Sequence, residues 1–216
     1  TFVATGANLY YAGGNNAGMR RALDDGAAYI LLCNNDTVVA PDMVTLLRDA
    51  LEDAPRAGFV GPKIYYLDHP GVLWSAGGGI NWWLGLTWHY GLRKPDGPAW
   101  NQRRSVGYLT GCAIMARRRV LEEIGLLDPD YVLYAEDADW CVRAARAGWD
   151  LLYVPEAKMW HEVSRSSGGA QSAFKVYHKV RSNFRLFGRY ARPYHWVTIP
   201  FAVLAGGVAY SIRALL

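Results

Sequence analysis

The stretch that most constrains the fold of this chain is Tyr29–Pro41, YILLCNNDTVVAP. Its apolar run, Tyr29–Cys33, stops at the Asx residues Asn34, Asn35 and Asp36, and a helical pattern begins after Thr37-Val38-Val39. An apolar run this short, bounded by turn formers, reads as a buried strand of a parallel sheet. Ligands of such sheets bind in the crevice beyond the carboxyl ends of the strands, where a carboxylate can hold a divalent metal or a sugar hydroxyl. The same residues suit a plain Asx turn. Taken alone they do not decide between site and turn.

Downstream, Met43, Leu46, Leu47, Ala50 and Leu51 recur at helical spacing behind Pro41 and Asp42, and Phe59–Tyr66 reads as the next strand. Strand, helix and strand in succession define an α/β unit. Upstream, Leu9–Gly18 runs from an apolar stub into Gly13-Gly14-Asn15-Asn16, expected to open a helix whose free N–H groups receive phosphate or are capped by Asn15 or Asn16. Leu73–Gly91 breaks the alternation with glycines and aromatics and predicts a β excursion or a loop over the site. Its Trp74, Trp82, Trp83 and Trp88 offer apolar faces to sugars or to the core. Arg93–Arg104 reads as an exposed loop, Ser105–Ala116 as a strand, and Arg119–Ile124 as a short helix ended by Gly125.

Within Leu127–Trp149, Ala138, Cys141 and Ala145 mark one face of a helix that Gly148 closes. Glu136, Asp137 and Asp139 then share its first turn. The helix dipole favours acids there, but crowded carboxylates are also how a general base or a metal site is built. Asp150–Pro155 reads as a strand and Ala157–Gly169 as an extended piece entering a polar loop, with His161, a ligand candidate, at the transition. A following helix aligns Ala173, Tyr177, Val180, Phe184 and Phe187. Trp196–Ile212, 17 residues without a charge, lies at the short limit of a membrane span; it also reads as an in-plane membrane helix or one packed on protein.

Composition narrows the classes. With 216 residues, 51% hydrophobic and 19% charged, the chain is one large domain or a domain plus an appendage and can bury a core. Net charge is only +4, gathered at Arg103, Arg104, Arg117–Arg119 and the acid-free Lys175–Arg192. That distribution suits phosphorylated ligands or an anionic membrane surface rather than nucleic acid. Cys33, Cys112 and Cys141 have no metal-binding spacing and are expected as buried, reduced thiols of a cytosolic protein. The chain opens at Thr1 in mid-pattern, as a piece of a longer protein would.

The order of the segments AGGNNAG, LLCNNDTVVAPD, GYLTGCAIMARR, GLLDPDYVLYAEDADWCVRAARAGW, VPEAKMWHEVSRSSGG and the Tyr177–Asn183 helix resembles family 2 inverting glycosyltransferases, closest to bacterial rhamnosyltransferase-like members that build cell-surface polysaccharides. The resemblance implies a GT-A fold, a Rossmann-like α/β sandwich with a mostly parallel sheet. That domain would occupy residues 1–169, its amino-terminal strand–helix–strand missing, before a basic amphipathic helix over 170–192 and an apolar helix, a candidate for membrane association, over 193–216. It implies a nucleotide-diphosphate sugar donor, with rhamnose as leading guess, and a glycan or lipid-linked glycan acceptor at the inner face of the cell membrane. Asn34-Asn35-Asp36 matches the metal-binding DxD motif, so Asp36 would hold Mg²⁺ or Mn²⁺ with help from His161, and Asn34 departs from the acidic pattern. Glu136-Asp137 matches the ED motif with Asp137 as base, and Asn16 lies where the family approaches the nucleotide. A non-catalytic binding or scaffold module is the alternative, and a sugar nucleotidyltransferase a second, although no basic Gly-rich triphosphate loop is visible. Oligomeric state is left open.

Overall fold

A computed structural model describes residues 1–162 and 173–206. The helical spacing after Pro41 forms α2 (Met43–Asp53), which buries Met43, Leu47, Ala50 and Leu51. They pack on a sheet ordered β1 (Tyr29–Cys33), β8 (Ala113–Arg117), β3 (Ala57–Tyr66), β9 (Asp150–His161), β2 (Thr37–Val39). β4 (Leu73–Ser75) adds to β3, and β7 (Arg104–Ser105) to β9. β5 (Gly78–Asn81) and β6 (Leu86–His89) form a separate hairpin, the β excursion foreseen for Leu73–Gly91.

The sheet is mixed. β1 and β3 both run antiparallel to β8, and β9 runs parallel to β3, so β1, β3 and β9 share one direction. The expected common direction of these strands is present, but β8 is inserted between β1 and β3, and β3–β9 is the one parallel pairing among the described strands. β3 is buried along nearly its whole length, which explains an apolar run broken only by Lys63. Pro62, which cannot donate to a ladder, sits where the β3–β9 register shifts.

Period-two alternation divides the core into two layers. Along β8, Ala113 and Met115 face α2, whereas Ile114 and Ala116 face the opposite cluster with Phe59, Trp140 and Cys141. That second layer carries α1 (Tyr10–Asp24), α3 (Arg118–Ile124), α4 (Glu136–Arg146) and α5 (Ala173–Tyr190). Helices on both faces make the chain an α/β sandwich.

Several expectations change. Gly13-Gly14-Asn15-Asn16 does not open a helix but lies inside α1, which starts at Tyr10, because the preceding apolar stub already winds helically. No free helix N-terminus exists at the glycines. Arg93–Arg104 is largely exposed, as expected, but it is also anchored: Asp96 accepts from the fully buried Lys63 Nζ at 2.8 Å and from Tyr65 Oη at 2.7 Å. Cys112 and Cys141 are buried free thiols, but Cys33, at the end of edge strand β1, is exposed.

The α5 stripe is also reassigned. Tyr177, Val180 and Phe184 are exposed, while Lys175, Ser182, Leu186, Phe187 and Tyr190 face inward. The loop before α4 supplies partners to this part of the helix: Ser182 donates to the Leu133 carbonyl, and Arg185 and Arg189 pair with Asp128. The arginine clusters are likewise largely internal ties. Arg117 donates to carbonyls at the end of α2 and start of β3, Arg119 to that of Pro55, and Arg103 pairs with Asp53 and Glu156. After a 3₁₀ turn, Pro193–Val197, residues 199–206 are helical. Among the described residues no helix is long and apolar enough to cross a membrane. The polar segment after His161 and the end of Trp196–Ile212 lie outside the described residues.

Candidate active site

The first wall is the turn that leaves β1. Asn34 N–H donates to the Cys112 carbonyl at 2.9 Å, and Thr37 Oγ1 donates back to the Asn34 carbonyl at 2.6 Å. The antiparallel β2–β9 ladder sets Thr37 opposite His161, and Glu162 N–H reaches the Asp36 carbonyl at 2.9 Å. Backbone pairing therefore brings two residues 125 positions apart in the chain side by side. His161 Nε2 stands 3.3 Å from Asp36 Oδ1. The contact is not aligned as a hydrogen bond, and Asp36 Oδ1 and His161 Nδ1 are both buried without a hydrogen-bond partner. Burial lowers the His161 pKa, against the opposing pull of Asp36, so its ring is neutral at neutral pH and has a lone pair to offer.

The second wall is the start of α4. Tyr134 and Ala135 both adopt left-handed backbone angles, φ 68° and 65°, conformations that cost energy for residues with a Cβ. This tight entry delivers Glu136 and Asp137 to the first turn. Asp137 Oδ2 accepts from Tyr108 Oη and Gly111 N–H, each at 2.7 Å, and Oδ1 accepts from Ala138 N–H at 2.8 Å. Burial raises the Asp137 pKa, and these three donors oppose the rise by stabilising the anion. Glu136 has no such support: Oε2 is buried with no partner, and burial, then the Asp137 charge, push its pKa up to about 8. Burial thus goes unopposed at Glu136, whereas the three donors make Asp137 the member of the pair better able to carry the charge.

One dipeptide ties the walls together. Gly111 N–H holds Asp137, and the carbonyl of the next residue, Cys112, holds Asn34. Tyr11 on α1 closes the joint by donating to the Gly111 carbonyl. A Cβ at Gly111 would lie 2.8 Å from Tyr11 Oη and 3.3 Å from the Asp137 Cβ, so the close approach needs glycine.

The remaining candidates separate. Asp139, fully buried, pairs with Arg143 at 2.7 Å and Arg189 at 3.3 Å and accepts from Tyr190 Oη at 2.7 Å. It is a structural tie. Asn16 is buried too, and its amide exchanges two hydrogen bonds with the Leu127 backbone, 2.8 and 3.0 Å. Its polar atoms face the protein rather than a nucleotide, which corrects the ligand reading. Asn35, on the turn itself, is exposed. Trp74 lies 4.7 Å from both His89 and His161, whereas Trp82 packs on Phe187 and His195 away from the site. Tyr11, Tyr108 and His89 were not singled out from sequence; the two glycines bracketing Tyr108 were the available signal.

A scan of family models matches residues 11–182 to the description "Glycosyltransferase like family 2", which is most of the chain. The chain belongs to glycosyltransferase family 2. Among curated relatives, it is 31% identical to the N-acetylglucosaminyl-diphospho-decaprenol L-rhamnosyltransferase of Mycobacterium tuberculosis over 218 residues, covering 89% of this chain and 69% of the relative. It is 24% identical to the low-salt glycan biosynthesis hexosyltransferase Agl10 of Haloferax volcanii, covering 85% and 58% respectively. Among solved structures, this family 2 chain resembles GalNAc-T7, determined with UDP, GalNAc and Mn²⁺, with a TM-score of 0.59 at 16% identity, over 82% of this chain and 35% of that one. That likeness establishes the GT-A fold.

Proposed function

We propose that this family 2 enzyme moves a sugar from a nucleotide-diphosphate donor to an acceptor hydroxyl in one inverting displacement. The observation that carries the reading is the Gly111-Cys112 joint. Its Gly111 N–H holds Asp137 and its Cys112 carbonyl holds Asn34, two residues before Asp36, so one dipeptide links the candidate base to the turn that carries the candidate metal ligand.

Asp137 is the base. As the acceptor oxygen bonds to the anomeric carbon and the bond from that carbon to the diphosphate breaks, the acceptor proton passes to Asp137. Its two oxygens already accept three hydrogen bonds that fix their direction, so the proton acceptor is pre-oriented. Attack opposite the leaving group inverts the centre. Protonated Glu136 beside it avoids a second buried negative charge.

Asp36 and His161 fit a divalent cation: a buried carboxylate oxygen without a hydrogen-bond partner beside a neutral imidazole. Among the described residues no group of three His, Cys, Asp or Glu side chains gathers, so the remaining ligands would be diphosphate oxygens and water, as suits Mg²⁺ or Mn²⁺. When bound, the cation would neutralise the charge that develops on the leaving diphosphate.

The relative that transfers L-rhamnose to a decaprenol-linked sugar makes dTDP-rhamnose the first donor to try and a lipid-linked glycan the first acceptor. Exposed Val197, Phe201 and Leu204 beside exposed Arg192 favour contact with an anionic membrane at the cytoplasmic face. The deciding experiment assays transfer from a panel of nucleotide-sugars to lipid-linked acceptors, with Mn²⁺ and with chelator. Metal-dependent transfer by the wild type, and transfer slower by about 10²–10⁴-fold in Asp137→Asn, is the expected result. Equal transfer by both would remove the assignment.

A further inference from the structure

Between the two walls stands a residue that the reaction above does not use. His89 ends β6, its ring 4.7 Å from Trp74 and 5.6 Å from Tyr108. Trp74 meets His161 edge-on, and Tyr108 holds Asp137. His89 therefore occupies the span that a sugar must bridge if its diphosphate lies by Asp36 and its reacting carbon by Asp137.

The hydrogen bonds around the ring determine what it offers. Ser75, on β4, is buried and has one hydroxyl proton, which it donates to the Gly77 carbonyl at 3.2 Å. Ser75 Oγ also lies 3.0 Å from His89 Nδ1. A hydroxyl whose proton points to Gly77 accepts on its other side, which favours the tautomer with the ring proton on Nδ1. Nε2, on the other side of the ring, then carries a lone pair and has no hydrogen-bond partner among the described residues.

We propose that His89 is a specificity-determining residue, whose Nε2 accepts a hydrogen bond from a hydroxyl of the transferred sugar while Trp74 faces the sugar ring. The inference rests on the glycosyl-transfer reading above. It is consistent with the ring's neutrality: burial, then the neighbouring His161, push the His89 pKa down to about 4, so near pH 7 it accepts and does not repel or attract by charge. Trp74 supplies an apolar face of the kind sugar C–H groups favour.

The test measures binding of dTDP-rhamnose, UDP-galactose, UDP-N-acetylglucosamine and GDP-mannose to the whole chain with Mn²⁺, alongside the matching nucleoside diphosphates. For the donor that binds, His89→Phe is expected to weaken the sugar nucleotide roughly 3–10-fold, the worth of one neutral hydrogen bond. Binding of the bare diphosphate should stay within about twofold, and His89→Gln, which keeps an acceptor, should recover part of the loss. Equal losses for both ligands, or none for either, would overturn the assignment, and the glutamine variant reports even if the phenylalanine variant misfolds. Ring ¹⁵N shifts provide a second readout, with the Nδ1–H tautomer expected and the Nε2–H tautomer contradicting it. If no sugar nucleotide binds the wild type, the glycosyl-transfer reading itself fails, and this inference with it.

Discussion

Glu136 and Asp137 are consecutive acids with unequal surroundings. Tyr108, Gly111 and Ala138 all donate to Asp137, whereas Glu136 Oε2 has no partner. Asp137→Asn should therefore lower turnover by about 10²–10⁴-fold, the usual worth of a general base, with donor binding kept, as calorimetry beside a transfer assay would show. Glu136 carries a pH signature. Its folded pKa, about 8, lies above its ordinary 4.5, so between those values the folded state binds more protons than the unfolded chain. Stability is then greatest below the unfolded value and falls as pH rises toward about 8, by at most about 1.4 kcal/mol per pH unit. Glu136→Gln should remove that slope and raise the melting temperature at pH 8 relative to wild type. Parallel melting curves from pH 5.5 to 9 would contradict the assignment.

At the level of elements, α4 is held at both ends of its first turn by different acids. Asp137 faces the cleft, while Asp139 ties α4 to α5 through Arg143, Arg189 and Tyr190. Asp139→Ala should destabilise the fold by about 3 kcal/mol, because it strands these partners where water reaches them poorly; a denaturation midpoint unchanged from wild type would count against it. The Gly111-Cys112 joint makes a different prediction. Gly111→Ala introduces a methyl within 2.8 Å of Tyr11 Oη and 3.3 Å of the Asp137 Cβ. Displacing the base by a fraction of an ångström is expected to cost turnover roughly 10²-fold, a loss greater than any change in donor affinity.

For the molecule as a whole, the site draws on both halves of the described chain: β1 and β2 come from the first half, and β8, α4 and the end of β9 from the second. Asp36→Ala, or chelator added to the wild type, should each abolish metal-dependent donor binding, whereas Asp139→Asn should not; an unaltered metal titration in Asp36→Ala would exclude Asp36 as a ligand. The surface carrying Val197, Phe201 and Leu204 should bind vesicles containing an anionic lipid more than neutral ones, and Phe201→Ser should weaken both, as co-sedimentation reads directly.

Local pattern was enough to determine the strand before Asn34-Asn35-Asp36, helix α2, the strand after it, the acidic start of α4 and the order of motifs that identifies the family. Each depends on neighbours in the chain, through a period of two or 3.6 residues or through turn chemistry. What only the tertiary structure decided is which polar groups have partners. Asn16 and Asp139 look as available in sequence as Asp36 and Asp137, yet the first two are tied to Leu127 and to Arg143, Arg189 and Tyr190. Of the apolar stripe expected on α5, Tyr177, Val180 and Phe184 turned outward and only Phe187 stayed inside, because Ser182, Arg185 and Arg189 found partners in the loop before α4. Hydrogen bonding of buried groups is a long-range matter, settled by which segments β-pairing and packing bring together. Asp36 beside His161, and Gly111-Cys112 between the two walls, are consequences of the sheet register and could not be read from spacing along the chain.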